Sequence, residues 1–241
     1  MTSARLALVT GTSSGIGAAV ARELLRREWQ VVGIARRTPA IEDERYRHLA
    51  LDLADVPAAT AAIERDFGAR LAERAWERVG LVNNAAAAPA GRVQNLRAEE
   101  LLRAHALNVV MPLWLMGLVL RRSPIEGRVR VVNLSSGAAV RASPGLSVYC
   151  SSKAALRMAG MAVAAEIEGD ISILSYAPGV VDTEMQLAAR SRPLEDFPWG
   201  ETFRRFHEEG RLVAPELPAA DIVEFLGSSF TDRFKEGRYG T

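Results

Sequence analysis

The chain has 241 residues, with 30 Lys and Arg against 29 Asp and Glu for a net charge of +1, and its charges are scattered rather than gathered in blocks. That length suits one α/β domain with a sizeable core, and that charge pattern leaves no electrostatic footprint for nucleic acid. Cys150 has no partner for an internal disulfide, and His48, His105 and His207 stand at none of the spacings of a metal site, so neither a disulfide framework nor a metal is expected. Residues 1–4 run into the first apolar segment without a signal-peptide pattern, and the longest apolar stretch, 111–120, is too short to span a bilayer. A cytoplasmic protein with no membrane partner is expected.

In chain order, a strand over 6–9 precedes a helix over 16–27, and a strand over 31–34 follows. Next come a strand over 48–51 with a helix over 58–75, then a strand over 79–82 with helices over 98–107 and 113–121. A strand over 129–134, a helix over 148–167 and a strand over 171–176 continue the alternation. Such alternation builds βαβ units on a parallel sheet. The strand segments Val31-Val32-Gly33-Ile34 and Val129-Arg130-Val131-Val132 are apolar nearly throughout, as in a sheet covered on both faces. The expected fold is a single α/β domain over 1–241, a doubly wound parallel sheet of the Rossmann type. Beyond Thr183 the pattern loosens into a polar, Pro-containing stretch over 190–201, an amphipathic piece over 203–211 and a helix near 218–226. A loop of that length, about 183–212, is expected to be a functional lid over substrate.

In sheets of this kind ligands bind beyond the carboxyl ends of the strands, and each motif falls just after a strand. Thr10-Gly11-Thr12-Ser13-Ser14-Gly15-Ile16-Gly17 joins the first strand to the first helix, where glycines let the backbone approach a pyrophosphate at the helix N-terminus. A plain strand-to-helix connection would read the same way. The second strand ends in Arg36-Arg37, where NAD-binding folds place a carboxylate on the ribose; two guanidiniums there suit the 2′-phosphate of NADP, or are simply surface arginines. Tyr149 and Lys153 share a helix face, with Ser136 upstream. A cation beside the phenol lowers its pKa from about 10, which suits a proton donor to a carbonyl. A lone Tyr-x-x-x-Lys could equally be a solvated helix face, and Cys150 fits simple packing.

With these motifs in order, the chain resembles the short-chain dehydrogenase/reductase family from Leu6 to about Gly237. The resemblance implies that Gly11, Ser13, Ser14, Gly15, Ile16 and Gly17 cradle the cofactor, and that Asp52 and Leu53 contact the adenine. It implies further that Asn83 and Ala85, in Asn83-Asn84-Ala85, close the fourth strand against the cofactor, and that Pro178, Gly179, Val181 and Thr183 seat the nicotinamide. Asn108 would hold the water of a proton relay, Ser136 would bond the substrate oxygen, Tyr149 would give the proton, and Lys153 would lower the tyrosine pKa and hold the ribose. Ala86 stands where the family commonly has glycine, and Ser14 where many NADPH-preferring members carry Lys or Arg. Phrases such as Tyr149-Cys150-Ser151-Ser152-Lys153 look most like sepiapterin reductases and bacterial benzil reductases. The chain ends Gly237-Arg238-Tyr239-Gly240-Thr241 without the acidic pterin anchor, and with an abbreviated last strand. The resemblance thus implies an NADPH-dependent carbonyl reductase acting on a small ketone, an α-dicarbonyl such as benzil, and a homodimer built on the helices over 113–121 and 148–167. A pterin reductase, or an NADP-binding regulator without turnover, are the alternatives. Met185, Phe197, Pro198 and Trp199 offer apolar surface for the substrate, or merely anchor the loop.

Overall fold

The computed structural model describes residues 4–73, 76–123, 128–195, 197–229 and 232–240. Among these, seven strands form one parallel sheet: β1 (Arg5–Thr10), β2 (Gln30–Ala35), β3 (Tyr46–Ala50), β4 (Arg78–Asn83), β5 (Arg128–Leu134), β6 (Ile171–Ala177) and β7 (Phe234–Arg238). Their spatial order is β3-β2-β1-β4-β5-β6-β7. The chain therefore reverses direction across the sheet between β1 and β4, and the carboxyl ends of those two strands open the crevice in which such folds bind ligands.

Side chains alternate across a strand, so a strand buried on both faces must be apolar at every position. In β1, Leu6 and Leu8 enter one core, with Ile34, Leu81, Met111, Leu115, Val131 and Leu156, while Ala7 and Val9 enter the other, with Leu24, Trp29, Val31, Val82, Val132 and Leu226. The helices α1 (Gly15–Arg26) and α9 (Glu216–Gly227) cover the second face. The first is covered by α2 (Val56–Ile63) and α3 (Ala69–Ala72), joined by a π-helical turn at Glu64–Gly68, and by α5 (Met111–Arg122) and α6 (Ser147–Glu166). The predicted end of the helix over 58–75, Ala75, lies outside the described residues.

The two helices expected over 98–107 and 113–121 are one. α4 (Ala98–His105) runs through a π-helical turn, Ala106–Val110, into α5. Pro112 has no N–H to donate to the Asn108 carbonyl and its ring would crowd that oxygen in a regular α-helix, and the wider turn accommodates it without a break. The result is a helix of 25 residues, long and apolar enough to cross a membrane. Instead it buries Ala104, Asn108, Met111, Leu115, Met116, Leu118 and Val119, as the core helix of this sheet.

The last strand, expected to be abbreviated, completes the sheet: β7 pairs with β6 from Ile173↔Phe234 to Ala177↔Arg238. The stretch after Thr183 is more regular than expected. It holds α7 (Glu184–Arg190) and α8 (Gly200–Glu208), and a β-bridge between Val181 and Val213 ties its far end back to the end of β6. Thr183 caps α7 by accepting a hydrogen bond from the Gln186 N–H, at 3.3 Å.

Candidate active site

The link from β1 to α1 turns on Gly11 and Gly15, whose φ values of +78° and +57° belong to the left-handed region that favours glycine. A Cβ on Gly11 would stand 2.6 Å from Asn84 Nδ2, and one on Gly15 would stand 3.0 Å from the Thr183 methyl. Thr10 clamps the turn to β4: its hydroxyl oxygen accepts from the Asn84 and Ala85 N–H groups at 2.9 and 3.0 Å, and its carbonyl accepts from Asn84 Nδ2 at 2.8 Å. Thr12 is buried and shares a hydrogen bond with the Tyr46 hydroxyl at 2.9 Å. Ser14, the N-cap of α1, makes no side-chain capping bond, and the first turn holds no acidic residue. Ser13 and Ser14 are half-buried, and Ile16 packs partly against the core. Open helix N–H groups with a positive dipole end and no carboxylate nearby fit a pyrophosphate.

Arg36 and Arg37 follow β2 and are exposed. Arg37 Nη2 lies 2.6 Å from Glu184 Oε2 on α7. Arg36 makes no ion pair among the described residues. Asp52, expected on the adenine, accepts from the Ala54 N–H at 2.9 Å and from Arg103 Nη2 at 2.7 Å. These bonds and the Arg36 charge hold its carboxyl below the usual range. Leu53 is buried in the core, so its side chain is withdrawn from the crevice. Asn83 is corrected likewise. Its side chain is buried, donating to Asn133 Oδ1 at 2.8 Å, because β4 and β5 pair these two residues side by side on the face that packs against Pro112. The neighbouring Asn84 faces the glycine turn instead.

Ser136 stands just past β5 at the start of a short 3₁₀ turn, Gly137–Ala139, whose Ala138 N–H it caps at 3.2 Å. It faces the Tyr149 hydroxyl closely enough to draw the phenol's pKa down. One turn along α6, Lys153 is buried and donates to the Leu134 carbonyl, with Nζ 5.6 Å from the centre of the Tyr149 ring. The expected lowering of the tyrosine pKa is not found. Burial pushes the phenol up to about 12, against the lowering by Ser136, and burial pulls the Lys153 ammonium down to about 8. The ammonium faces the ring and a backbone carbonyl rather than the phenol oxygen, so loss of hydration outweighs the attraction that would have favoured phenolate.

Asn108 is also placed differently from a free relay residue. It is buried in the π-turn, and its amide donates to the Ala87 carbonyl at 2.8 Å and to Ser152 Oγ at 3.0 Å, while its Oδ1 accepts from the Ala87 N–H at 2.8 Å. The side chain thus ties the segment after β4 to α6. Its backbone carbonyl, facing a proline four residues on, is the atom left without the usual helical donor. Cys150 is half-buried, its thiol 3.8 Å from the Arg141 carbonyl.

Past β6, Pro178, Gly179 and Val181 lead to Thr183, and the Asp182 N–H and Val180 carbonyl pair with Val213 at 2.9 Å each. Met185 is 40% exposed on α7. Trp199 is half-buried at the start of α8. Phe197 is a correction: it is fully buried, 5.9 Å from the Phe203 ring, and anchors the loop from within rather than lining it. Arg192 donates across the crevice to the Ala90 carbonyl at 2.9 Å, and Arg204 braces the loop through the Arg190 and Arg192 carbonyls. Thr10, Thr12, Asn84 and Ser152 lie inside the quoted motifs without a role of their own assigned to them, and Arg192 and Arg204 had no signal in the sequence. The helix α7 did have one, since Thr183 with Gln186 three residues on has the pattern of a capping box.

A glycine turn at the switch point, a serine past β5 and a Tyr-x-x-x-Lys pair on α6 thus converge on one crevice. A family model described as short chain dehydrogenase matches residues 5–193. The chain belongs to that family. It is accordingly an oxidoreductase acting at CH–OH and C=O groups with a nicotinamide cofactor. It is 32% identical over 226 residues to a benzil reductase ((S)-benzoin forming) of Bacillus subtilis, covering 92% of this chain and 93% of that one. It is 30% identical over 261 residues to a sepiapterin reductase of Xenopus tropicalis, covering 96% and 94%. A solved short-chain dehydrogenase/reductase from Burkholderia vietnamiensis superposes with a TM-score of 0.69 at 33% identity, over 81% of this chain and 94% of that one.

Proposed function

We propose that the chain is an NADPH-dependent carbonyl reductase that converts a small α-dicarbonyl such as benzil to an α-hydroxy ketone. The observation that carries this reading is the grouping of Ser136, just past the carboxyl end of β5, with Tyr149 and the buried Lys153 on α6. When bound, NADPH would supply hydride from its nicotinamide C4 to the carbonyl carbon. The phenol of Tyr149, held up near 12, stays protonated at neutral pH and gives its proton to the carbonyl oxygen, while Ser136 donates a hydrogen bond that stabilises the charge developing there. Lys153, with one N–H on Leu134, keeps two for the ribose hydroxyls. The Asn108 carbonyl is the group available to hold a relay water behind Lys153. Arg36, helped by Arg37, holds the 2′-phosphate. Pro178, Gly179, Val181 and Thr183 seat the nicotinamide.

Apolar substrate fits the surroundings. The segment after β4 reads Ala85-Ala86-Ala87-Ala88-Pro89-Ala90, with no side chain larger than proline, and Met185 faces solvent from α7. The Bacillus relative bears the name benzil reductase, whereas the Xenopus relative supports a pterin as the second reading. Loss of NADPH absorbance against benzil, diacetyl and sepiapterin separates the two. Turnover of a vicinal diketone with a higher kcat/KM than sepiapterin is expected; a preference for sepiapterin would establish the second reading, and no turnover of any carbonyl would point to a nucleotide-binding regulator. A homodimer is proposed on α5 and α6, where Leu113, Met158 and Met161 are exposed. Light scattering showing a monomer at micromolar concentration would rule it out.

A further inference from the structure

Arg37 and Glu184 are 147 residues apart, yet Nη2 and Oε2 meet at 2.6 Å. Arg37 lies at the end of β2, where the ribose belongs. Glu184 opens α7 beside Thr183, whose methyl stands 3.0 Å from where a Cβ on Gly15 would be, at the start of α1. The pair therefore crosses the groove from the ribose end to the pyrophosphate end. We propose that Glu184 is a specificity-determining residue: its carboxylate competes with the cofactor's 2′-phosphate for Arg37 and so sets how strongly NADPH is preferred. This rests on the NADPH reading above.

The two side chains are 63% and 61% exposed, so the pair is weak and readily exchanged. A phosphate brings up to two negative charges and three oxygens to a guanidinium that binds such groups through two parallel hydrogen bonds, whereas the pair with Glu184 involves a single short contact. Phosphate wins Arg37, but only after the carboxylate is displaced, and the displaced charge stays close by. Arg36 has no ion pair to break among the described residues, so it captures the phosphate unopposed. NADH has no 2′-phosphate and gains nothing from Arg37, so the contest bears on NADPH alone.

The test is direct titration of NADPH and NADH into the full chain, followed by cofactor fluorescence, with wild type, Arg36→Ala, Arg37→Ala, Glu184→Gln and the Arg37→Ala/Glu184→Gln double variant. Glu184→Gln keeps the side-chain volume and removes the competitor. It is expected to tighten NADPH about two- to fivefold, the scale of an exposed ion pair, and to leave NADH unchanged. The gain should vanish in the Arg37→Ala background and shrink at high salt. If Arg36→Ala and Arg37→Ala weaken NADPH while Glu184→Gln leaves it unchanged or weaker, or if the gain persists without Arg37, Glu184 is no competitor and the inference is overturned while the NADPH reading stands. If wild type binds NADH as well as NADPH, the cofactor reading fails, and this inference fails with it.

Discussion

Lys153 lies against the face of the Tyr149 ring, 5.6 Å from its centre, and not beside its hydroxyl. One turn of helix brings the two side chains together, but Nζ is drawn to the Leu134 carbonyl at the end of β5, which leaves Ser136 as the partner of the phenol. The pair is thus an acid that stays protonated and a buried amine that loses its proton easily.

Tyr149→Phe keeps the ring and removes the acid. Turnover should fall by about 100-fold or more, since general acid catalysis commonly contributes 10²- to 10⁴-fold, while NADPH binding measured by fluorescence survives. Near-normal turnover would show that the proton comes from elsewhere.

Burial of Lys153 makes stability depend on pH in a defined direction. Its pKa falls from 10.5 unfolded to about 8 folded, so between these values the unfolded chain holds a proton that the folded chain has shed, and stability rises with pH. The penalty for burying the charge is full below pH 8. Compared with Lys153→Met, wild type should gain about 2 kcal/mol between about pH 7 and 9.5 in urea unfolding. A flat difference would mean that the amine is solvated. Above about pH 10.5 the amine has shed its proton in both folded and unfolded chains, so the difference levels off there.

Arg36→Ala removes the guanidinium that has no competing ion pair among the described residues. A hydrogen bond to a charged group is worth about 1.5–3 kcal/mol, so NADPH affinity should fall about 10- to 100-fold and NADH affinity hardly at all. Unchanged NADPH affinity would contradict the assignment.

Asn108→Ala removes the partner of the half-buried Ala87 N–H and carbonyl and of the Ser152 hydroxyl at once. Leaving buried groups unpaired costs about 1–3 kcal/mol, to be read as a lower urea midpoint with m unchanged. Ser152→Ala removes only one of those partners and should cost less. Equal losses would mean that the link to Ala87 contributes nothing.

Phe197→Ala and Met185→Ala should separate anchoring from lining. The first empties a buried site and is expected to cost about 3–5 kcal/mol of stability, because large aromatic deletions leave a cavity. The second, on an exposed residue, should leave stability nearly unchanged and raise KM for an aromatic diketone. A raised KM with intact stability for Phe197→Ala would restore that residue to the substrate surface.

The order of strands and helices was legible because a doubly covered parallel sheet demands unbroken apolar strands, and the glycine turn, Ser136, Tyr149 and Lys153 were legible because each falls at a strand's end or on one helix face. Errors arose where local pattern and tertiary demand part. The segments over 98–107 and 113–121 read as separate helices, yet a π-turn carries one helix through Pro112. Phe197 read as a binding surface because a single sequence does not say which side of a loop faces inward. α7, only seven residues long, falls inside the stretch expected to be a loop, although its cap is spelled out by Thr183 and Gln186.

By itself the sequence determined the sheet, the crevice and the chemical groups brought to it, since periodicity and glycine placement act over a few neighbouring residues. The tertiary structure alone decided the partners of those groups. Asn83 turns to Asn133 because β4 and β5 pair in that register, and Asn108 joins Ala87 to Ser152 because the fused helix sets it between them. Lys153 faces Leu134, and Arg37 meets Glu184 across the groove. Such contacts join residues from 19 to 147 positions apart, and the burial that moves the pKa values of Tyr149 and Lys153 exists only once the two layers have closed on the sheet.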